Sequence, residues 1–182
     1  MPKVKQNQKT ITEITKNVSI FVEKLKASEK DYKADLDKIR VENVGEVSME
    51  EGKVSYLIQL SSTDEKSLRK VHTLLVKKLE EHLNSPVVII PSKKRINGKD
   101  YARYVSAKVP RDRTLTAVFD SYLDDLLYPA TIIGKRIRYP KGPTRQFKVI
   151  IDPLDKNQVE YKIPAITACY KALTNRDLEV IA

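Results

Sequence analysis

Six basic side chains and no acidic one lie within the fifteen residues GKRIRYPKGPTRQFK, at 134–148. Guanidinium and ammonium groups bind anions, and the planar fork of arginine matches the oxygens of a phosphate group. Alternation along a strand puts Arg136 and Arg138 on one face, and Ile137 and Tyr139 on the other. We therefore expect Ile137 and Tyr139 to fix the strand to the core, while both arginines project toward a polyanion.

A second group of cations lies in residues 92–112, which follow neither the helical nor the strand period. This stretch is predicted to be a loop or an extended arm. Tyr101 and Tyr104 lie between its cations and could stack on unpaired bases, although ordinary packing explains them equally well. The candidate RNA-binding residues of the arm and the hairpin are Lys93, Lys94, Arg95, Lys99, Arg103, Lys108, Arg111, Arg113, Lys135, Arg136, Arg138, Lys141 and Arg145.

The positive charge of the chain is concentrated in one segment. Of the formal net charge of +10, residues 93–148 carry +9, with 14 basic against 5 acidic side chains. An evenly spread excess would only favour solubility, whereas one concentrated segment is typical of a surface that binds a polyanion. The alternative is a solvated basic surface that acidic residues elsewhere on the fold balance.

Residue types that perform catalysis or bind metals do not converge in this sequence. His72 and His82 lie ten residues apart on one predicted helix, without a metal-binding spacing, and are interpreted as surface histidines. Cys169 is predicted to be a buried structural thiol. The acidic pairs, interpreted as solvated surface, are Glu50/Glu51, Glu80/Glu81 and Asp124/Asp125. The sequence therefore predicts no enzyme, no cofactor and no metal site.

Composition places further bounds on the class of protein. A single cysteine excludes an internal disulfide framework and favours a reducing compartment. The first ten residues lack the apolar stretch of a signal peptide, and no run approaches the roughly 18 apolar residues of a membrane span. We expect a soluble intracellular protein.

The elements that must position the cations are predicted from hydrophobic periodicity. They form a single α+β domain with two N-terminal helices, hairpins and a mixed sheet flanked by helices, without an internal repeat. Its predicted segments are N-terminal helices (1–42, the second with Tyr32, Leu36 and Ile39 inward), a hairpin–helix–strand unit with a right-handed βαβ crossover (43–91), the basic arm (92–112), and a helix, basic hairpin and C-terminal helix (113–182). Within the last segment we predict a helix from Thr114 to Pro129, strands at 131–139 and 145–152, a helix from Pro164 and an edge strand at 178–182.

Three stretches of the sequence resemble one known family. RTLTAVFDSYLDDLLYPATIIGKRIR (113–138) is similar to the hallmark segment of the eukaryotic small-subunit ribosomal protein seven family, which is unrelated to its bacterial namesake. Residues 69–96 resemble the family's long helix, strand and basic exit, and residues 159–180 resemble its ending. The resemblance covers roughly residues 50–180. In the family the arm before this segment is longer and more basic, whereas Asp100 and Asp112 interrupt it here.

The resemblance implies a structural constituent of the small (40S) ribosomal subunit that binds small-subunit rRNA. It also implies a need for the protein in subunit assembly and rRNA maturation, with neighbouring ribosomal proteins as partners and no membrane or small-molecule substrate. The expected location is the cytoplasmic ribosome, after nucleolar or nuclear passage. Of the candidate residues, the resemblance carries an RNA-binding role to Arg113, Lys135, Arg136 and Arg138, and in character to the cations at 93–95. The alternatives are an RNA-modifying enzyme, for which the sequence lacks a catalytic set, and a non-ribosomal basic RNA-binding or protein-interaction adaptor.

Overall fold

The protein is described by a computed structural model that covers residues 8–28, 32–49, 52–62, 65–92, 111–139 and 146–181. Its helices are α1 (Gln8–Ser28), α2 (Lys33–Leu36), α3 (Glu65–Leu83), α4 (Leu115–Leu127), α5 (Lys156–Val159) and α6 (Ile163–Thr174). Its strands are β1 (Ile39–Ser48), β2 (Val54–Ser62), β3 (Val87–Pro91), β4 (Ile132–Arg138), β5 (Gln146–Ile151) and β6 (Asp177–Ile181). Short 3₁₀ turns lie at Arg111–Arg113, Pro153–Asp155 and Glu160–Lys162. The predicted α+β class is confirmed.

The strands form two three-stranded sheets, where the sequence predicted one mixed sheet. In sheet 1, β1 pairs antiparallel with β2, and β2 pairs parallel with β3 after the crossover through α3. In sheet 2, β4 pairs antiparallel with β5, and β5 pairs parallel with β6 after the crossover through α6. Each half of the chain therefore has the order helix, hairpin, helix, parallel strand. This repeat of topology is absent from the sequence, in which no internal repeat is visible.

Sheet 1 is covered on both faces. Ile58 and Ile89 are buried in one core cluster with apolar side chains of α1, α2 and α3. Leu57 and Val88, on the opposite face, are buried in a second cluster with side chains of α4, α6 and sheet 2. Burial on both faces explains why VVII at 87–90 is a continuous apolar run without alternation.

Sheet 2 is covered on one face. Phe147, Val149 and Ile151 alternate with polar or half-buried residues along β5 and enter the second core cluster. On the other face, none of the described side chains is buried. That open face carries Gly134, Arg136, Arg138, Gln146, Lys148, Ile150, Asp177, Glu179 and Ile181.

The N-terminal region differs from the prediction in two respects. Ile39, expected on the inner face of the second helix, is instead the first residue of β1, and helix α2 ends at Leu36. Ile39 is nonetheless buried, with 1% of its surface exposed, because β1 begins under α1. The hairpin is also longer than predicted, because an irregularity in the pairing between Val41 and Asn43 interrupts the alternation of side chains.

The two halves meet at the only cysteine of the chain. Cys169 on α6 is fully buried, as predicted, and its Sγ lies 3.8 Å from the Ser55 hydroxyl on β2. Burial raises the pKa of this thiol to about 11. None of the described helices is long and apolar enough to cross a membrane.

Candidate nucleic-acid interface

Strand β4 follows helix α4 after a short connection at 128–131. The Lys135 Nζ lies 2.8 Å from the Asp124 Oδ1, which fixes one point of contact between the two elements. From that point, the helix runs back toward Arg113 at about 1.5 Å per residue, and the strand runs forward toward Tyr139 at about 3.3 Å per residue. We therefore expect the first turn of α4 and the last residues of β4 to lie toward the same end of the molecule.

A stacked arginine provides a second tie at this end. The Arg176 guanidinium lies 4.7 Å from the ring centre of Phe119 on α4 and 4.8 Å from that of Phe147 on β5. Arg176 directly precedes β6, whose first residue, Asp177, is in register with Gln146 at the start of β5. A guanidinium held between two rings is fixed in orientation by cation–π attraction and packing.

The cations at this end, which we call the arginine end, are Arg111, Arg113, Arg138 and Arg176. Three of them were predicted from the sequence, and the four lie on three separate parts of the fold: the 3₁₀ turn before α4, strand β4 and the residue before β6. Arg176 was missed, because it is an isolated cation in a segment, 149–182, with slightly more acidic than basic residues. Arg176 lies at the arginine end because of its position in the chain. It follows Asn175, which ends α6 with a left-handed backbone, and it directly precedes β6.

Arg136 and Arg138 project from the open face of sheet 2, as alternation predicted. In register with Arg136 is Lys148, which forms an ion pair with Glu179 on β6 at 2.6 Å. Among the described residues, no carboxylate lies within ion-pairing distance of Arg136 or Arg138. These two arginines are therefore the cations of β4 that the fold leaves without a counter-charge.

Lys135 belongs to a different environment from the two arginines. It faces α4, and Asp124 neutralises its charge. The hairpin is thus less strongly unbalanced than its local sequence indicated, because acids distant in sequence reach both Lys135 and Lys148.

The expectation that Ile137 and Tyr139 fix β4 to the core is wrong. Ile137 is in register with the buried Phe147 and does face the helix side, yet it is 51% exposed, and Tyr139 is 68% exposed. No residue of β4 is buried. The physical reason is that the strand extends past its covering layer: Arg176, rather than Ile137, packs on the Phe147 ring and closes the core at this end.

Eight candidate residues lie outside the described residues, and their placement stays a prediction. They are Lys93, Lys94, Arg95, Lys99, Arg103, Lys108, Lys141 and Arg145. Of the predicted arm (92–112), only Ser92, Arg111 and Asp112 are described. Arg111 and Arg113 lie exposed on a 3₁₀ turn that leads into α4.

The two histidines of α3 have different surroundings. His82 is exposed and stacks on Phe21, with ring centres 4.2 Å apart, which agrees with the surface interpretation. His72 contradicts it, since only 9% of the residue is exposed, and Tyr128 packs edge-on against its ring. The sequence contained the signal, because residue 72 follows Leu68 by four positions and so shares its inward face.

Burial changes the protonation of His72. Burial, together with the nearby charge of Lys162, lowers the pKa of this imidazole to about 4. Its Nδ1 has no hydrogen-bond partner among the described residues. His72 lines a small cavity of about 30 Å³ between α3, β3 and α4, whose charged lining residues are Arg69, Asp124 and Asp125. The cavity has room for one ordered water, and such a water would give the unpaired Nδ1 of His72 a hydrogen-bond partner.

Glu80 is also less solvated than the sequence indicated. Its carboxylate accepts hydrogen bonds from the Val87 backbone N–H at 3.2 Å and from Lys162 Nζ at 2.7 Å. The side chains of Lys162 and Glu80 are only 13% and 21% exposed. This pair ties the end of α3 to the turn before α6 and serves packing. Among the described residues, no group of three or more His, Cys, Asp or Glu side chains could hold a metal ion.

Comparison with known proteins decides the family. The model of the family described as "Ribosomal protein S7e" matches residues 2–181. The chain belongs to the ribosomal protein S7e family. The resemblance found in the sequence is thereby confirmed, and it extends over the N-terminal helices as well.

Curated relatives in this family come from plants, animals and fungi. The chain is 33% identical over 168 residues to "Small ribosomal subunit protein eS7z" of Arabidopsis thaliana, covering 92% of this chain and 87% of the relative. It is 33% identical over 179 residues to "Small ribosomal subunit protein eS7" of Caenorhabditis elegans (96% and 91%), and 33% identical over 179 residues to "Small ribosomal subunit protein eS7A" of Saccharomyces cerevisiae (97% and 94%). These names describe a ribosomal component rather than a catalytic activity.

Proposed function

We propose that this S7e-family protein is a structural constituent of the small (40S) ribosomal subunit and binds small-subunit rRNA through the arginine end and the open face of sheet 2. What carries the proposal is the convergence of arginines from three separate parts of the chain, at 111–113, 136–138 and 176. The Lys135–Asp124 pair and the Phe119–Arg176–Phe147 stack support that convergence. Arginines grouped in this way match the phosphate backbone of RNA.

The charge balance of the fold supports RNA as the missing counter-ion. Acidic side chains neutralise Lys135 and Lys148, whereas Arg136 and Arg138 have no ion-pair partner among the described residues. The hairpin therefore has two kinds of cation. The structural ones pair with acidic side chains, and the available ones have no ion-pair partner among the described residues. The available ones are the proposed phosphate contacts.

The proposed place of the protein in the cell follows from the family. We propose that it contributes to subunit assembly and rRNA maturation, contacts neighbouring small-subunit proteins, and resides on cytoplasmic ribosomes after nucleolar or nuclear passage. Support comes from family membership and from the names of the relatives. The candidate cations of the arm, at 93–108, are proposed as further rRNA contacts.

A charge-matched pair of variants tests the proposal. Changing both Arg136 and Arg138 to Gln should change the free energy of unfolding by no more than about 0.5 kcal/mol, because both side chains are exposed. The variant should nevertheless be depleted from purified 40S subunits. In RNA-binding titrations, the slope of log affinity against log salt should fall by roughly 0.7–0.9 for each lost phosphate contact.

The control removes two exposed cations from the first half of the chain, by changing Arg40 and Lys70 to Gln. It alters net charge equally and should leave occupancy and the salt slope nearly unchanged. If the control and the test variant lose occupancy to the same extent, general charge is responsible and the assigned surface is wrong. Protein that stays free of ribosomes at low salt would support the adaptor alternative instead.

A further inference from the structure

Strand β4 presents two chemically different faces at an open edge. It is an edge strand, since the order of sheet 2 is β4-β5-β6, so its outer backbone groups have no partner strand among the described residues. Beyond Lys135, one face carries Arg136 and Arg138 and the other carries Ile137, and Tyr139 follows directly after the end of the strand. Cations and apolar groups are thus separated by only the thickness of one strand.

The apolar side of this edge is accessible. Ile137 is 51% exposed although it is in register with the buried Phe147, and Tyr139 is 68% exposed. Leu115, in the first turn of α4 at the same end, is 43% exposed. The Arg176 stack fills the space over Phe147 and ends the packed core there. One aromatic and two aliphatic side chains are therefore exposed on elements that also carry arginines, and exposed apolar groups rimmed by polar residues can mark binding sites.

We propose that this edge of β4 binds an unpaired stretch of RNA, with bases stacked on Tyr139 and packed on Ile137, and phosphates on Arg136 and Arg138. The inference rests on the proposed rRNA binding and adds the class of RNA structure that is recognised. Single-stranded RNA offers both an anionic backbone and free aromatic faces, whereas a duplex offers side chains mainly its backbone and minor groove. The two-faced edge matches both parts of an unpaired nucleotide.

The charge around the apolar group favours RNA over a protein occupant. The elements at this end carry Arg111, Arg113, Arg138 and Arg176. Asp112 is the only acidic residue of the 3₁₀ turn at 111–113 and of β4, and Asp177, beside Arg176, is paired with Lys171. Burying apolar surface against a protein would bring those arginines into the interface and require a matching number of carboxylates. A nucleic-acid strand supplies the anions continuously along its length.

The test compares binding of one fluorescent single-stranded RNA and one RNA hairpin duplex of the same base composition. Tyr139→Ala should weaken single-strand binding by roughly 5- to 150-fold, the range for loss of one stacked base, and should leave duplex binding within about 2-fold. Tyr139→Phe keeps the ring and should behave as the unaltered protein. Tyr161→Ala is the matched control, because Tyr161 is 61% exposed on a different element and should affect neither RNA.

Two outcomes overturn the inference while leaving the proposed function standing. One is an unaltered protein that binds RNA while Tyr139→Ala loses nothing, or loses both RNAs equally. The other is a photoreactive benzoyl-phenylalanine at position 139 that, in assembled subunits, crosslinks to another ribosomal protein and not to rRNA. An unaltered protein that binds neither RNA instead contradicts the proposed function itself.

Discussion

The two halves of this protein have the same order of helices and strands but treat their first strand differently. In sheet 1, helix α1 packs along β1, and Ile39 and Val44 of that strand are buried. In sheet 2, helix α4 packs against β3 and α6 instead, and no residue of β4 is buried. The same topology therefore buries the first strand of the first half and leaves the first strand of the second half exposed. The exposed edge of β4 arises because helix α4 packs against β3 and α6 and does not cover it.

The largest expected effect contrasts the two sheets by burying a charge. Ile58→Asp, on β2, should lower the free energy of unfolding by more than about 4 kcal/mol or prevent folding, because Ile58 is fully buried and a lone carboxylate there has no partner. Ile137→Asp, on β4, should cost less than about 1 kcal/mol, because half of that side chain is exposed. Denaturant unfolding of both variants measures the difference.

This pair of variants reverses the expectation from alternation alone, which would make Ile137 a core residue. Should Ile137→Asp destabilise the protein as severely as Ile58→Asp, the end of β4 is covered in solution. The two halves would then be alike in packing, and the accessible edge would not exist.

An effect of intermediate size is expected in how the free energy of unfolding depends on pH, through His72 at the contact between the two halves. The pKa of His72 is lowered to about 4, from an ordinary value near 6.5, so the folded state holds this imidazole neutral. Between those values the unfolded chain binds more protons, and stability therefore falls as pH is lowered from about 6.5 to about 4. The loss should reach roughly 3 kcal/mol and then level off. Unfolding free energies measured across this pH range test it.

Two histidine variants isolate the contribution of His72 from that of its charged neighbours, including Asp124 and Asp125 of the cavity wall. His72→Gln should flatten the curve between pH 6.5 and 4. His82→Gln, at the exposed histidine of the same helix, should retain the full slope. Equal slopes in all three proteins would mean that the folded state does not hold His72 neutral.

The smallest expected effect compares two ion pairs of unequal burial. Lys162→Met leaves the largely buried Glu80 with only its backbone and tyrosine donors, and should cost about 1–3 kcal/mol. Lys135→Met breaks a pair whose side chains are 36% and 55% exposed, and should cost less than about 1 kcal/mol. Thermal unfolding of both variants ranks them, and a reversed order would show that β4 depends on its contact with α4.

Periodicity predicted most of the elements and the correct face of each arginine on β4. It assigned Arg136 and Arg138 to the open side and Ile137 to the side of Phe147, and the strand register agrees. It could not predict how far β4 extends beyond its covering layer, since alternation specifies a face and not the presence of anything against that face. The exposure of Ile137 depends on where α4 and Arg176 lie, which is tertiary information.

Two other residues show where sequence reasoning was incomplete and where it was limited in principle. His72 shares an inward face with Leu68 on α3, so its burial was readable from helical spacing. Arg176 was not readable, because its role arises from two rings that lie 57 and 29 residues away in the chain and meet only in the folded protein. The repeat of topology was hidden for a similar reason, since the two halves share connectivity and not residues.

Because Cys169 is buried between the two halves, the reactivity of this thiol, the only one in the chain, reports how often the halves separate. Because Sγ lies at the contact between α6 and β2 and stays protonated at neutral pH, a thiol reagent in solution can modify it only after the two halves separate. The rate of modification therefore counts opening events at the seam, without any added probe. Comparing this rate between the free protein and the assembled particle would show how much assembly slows the local opening of the fold.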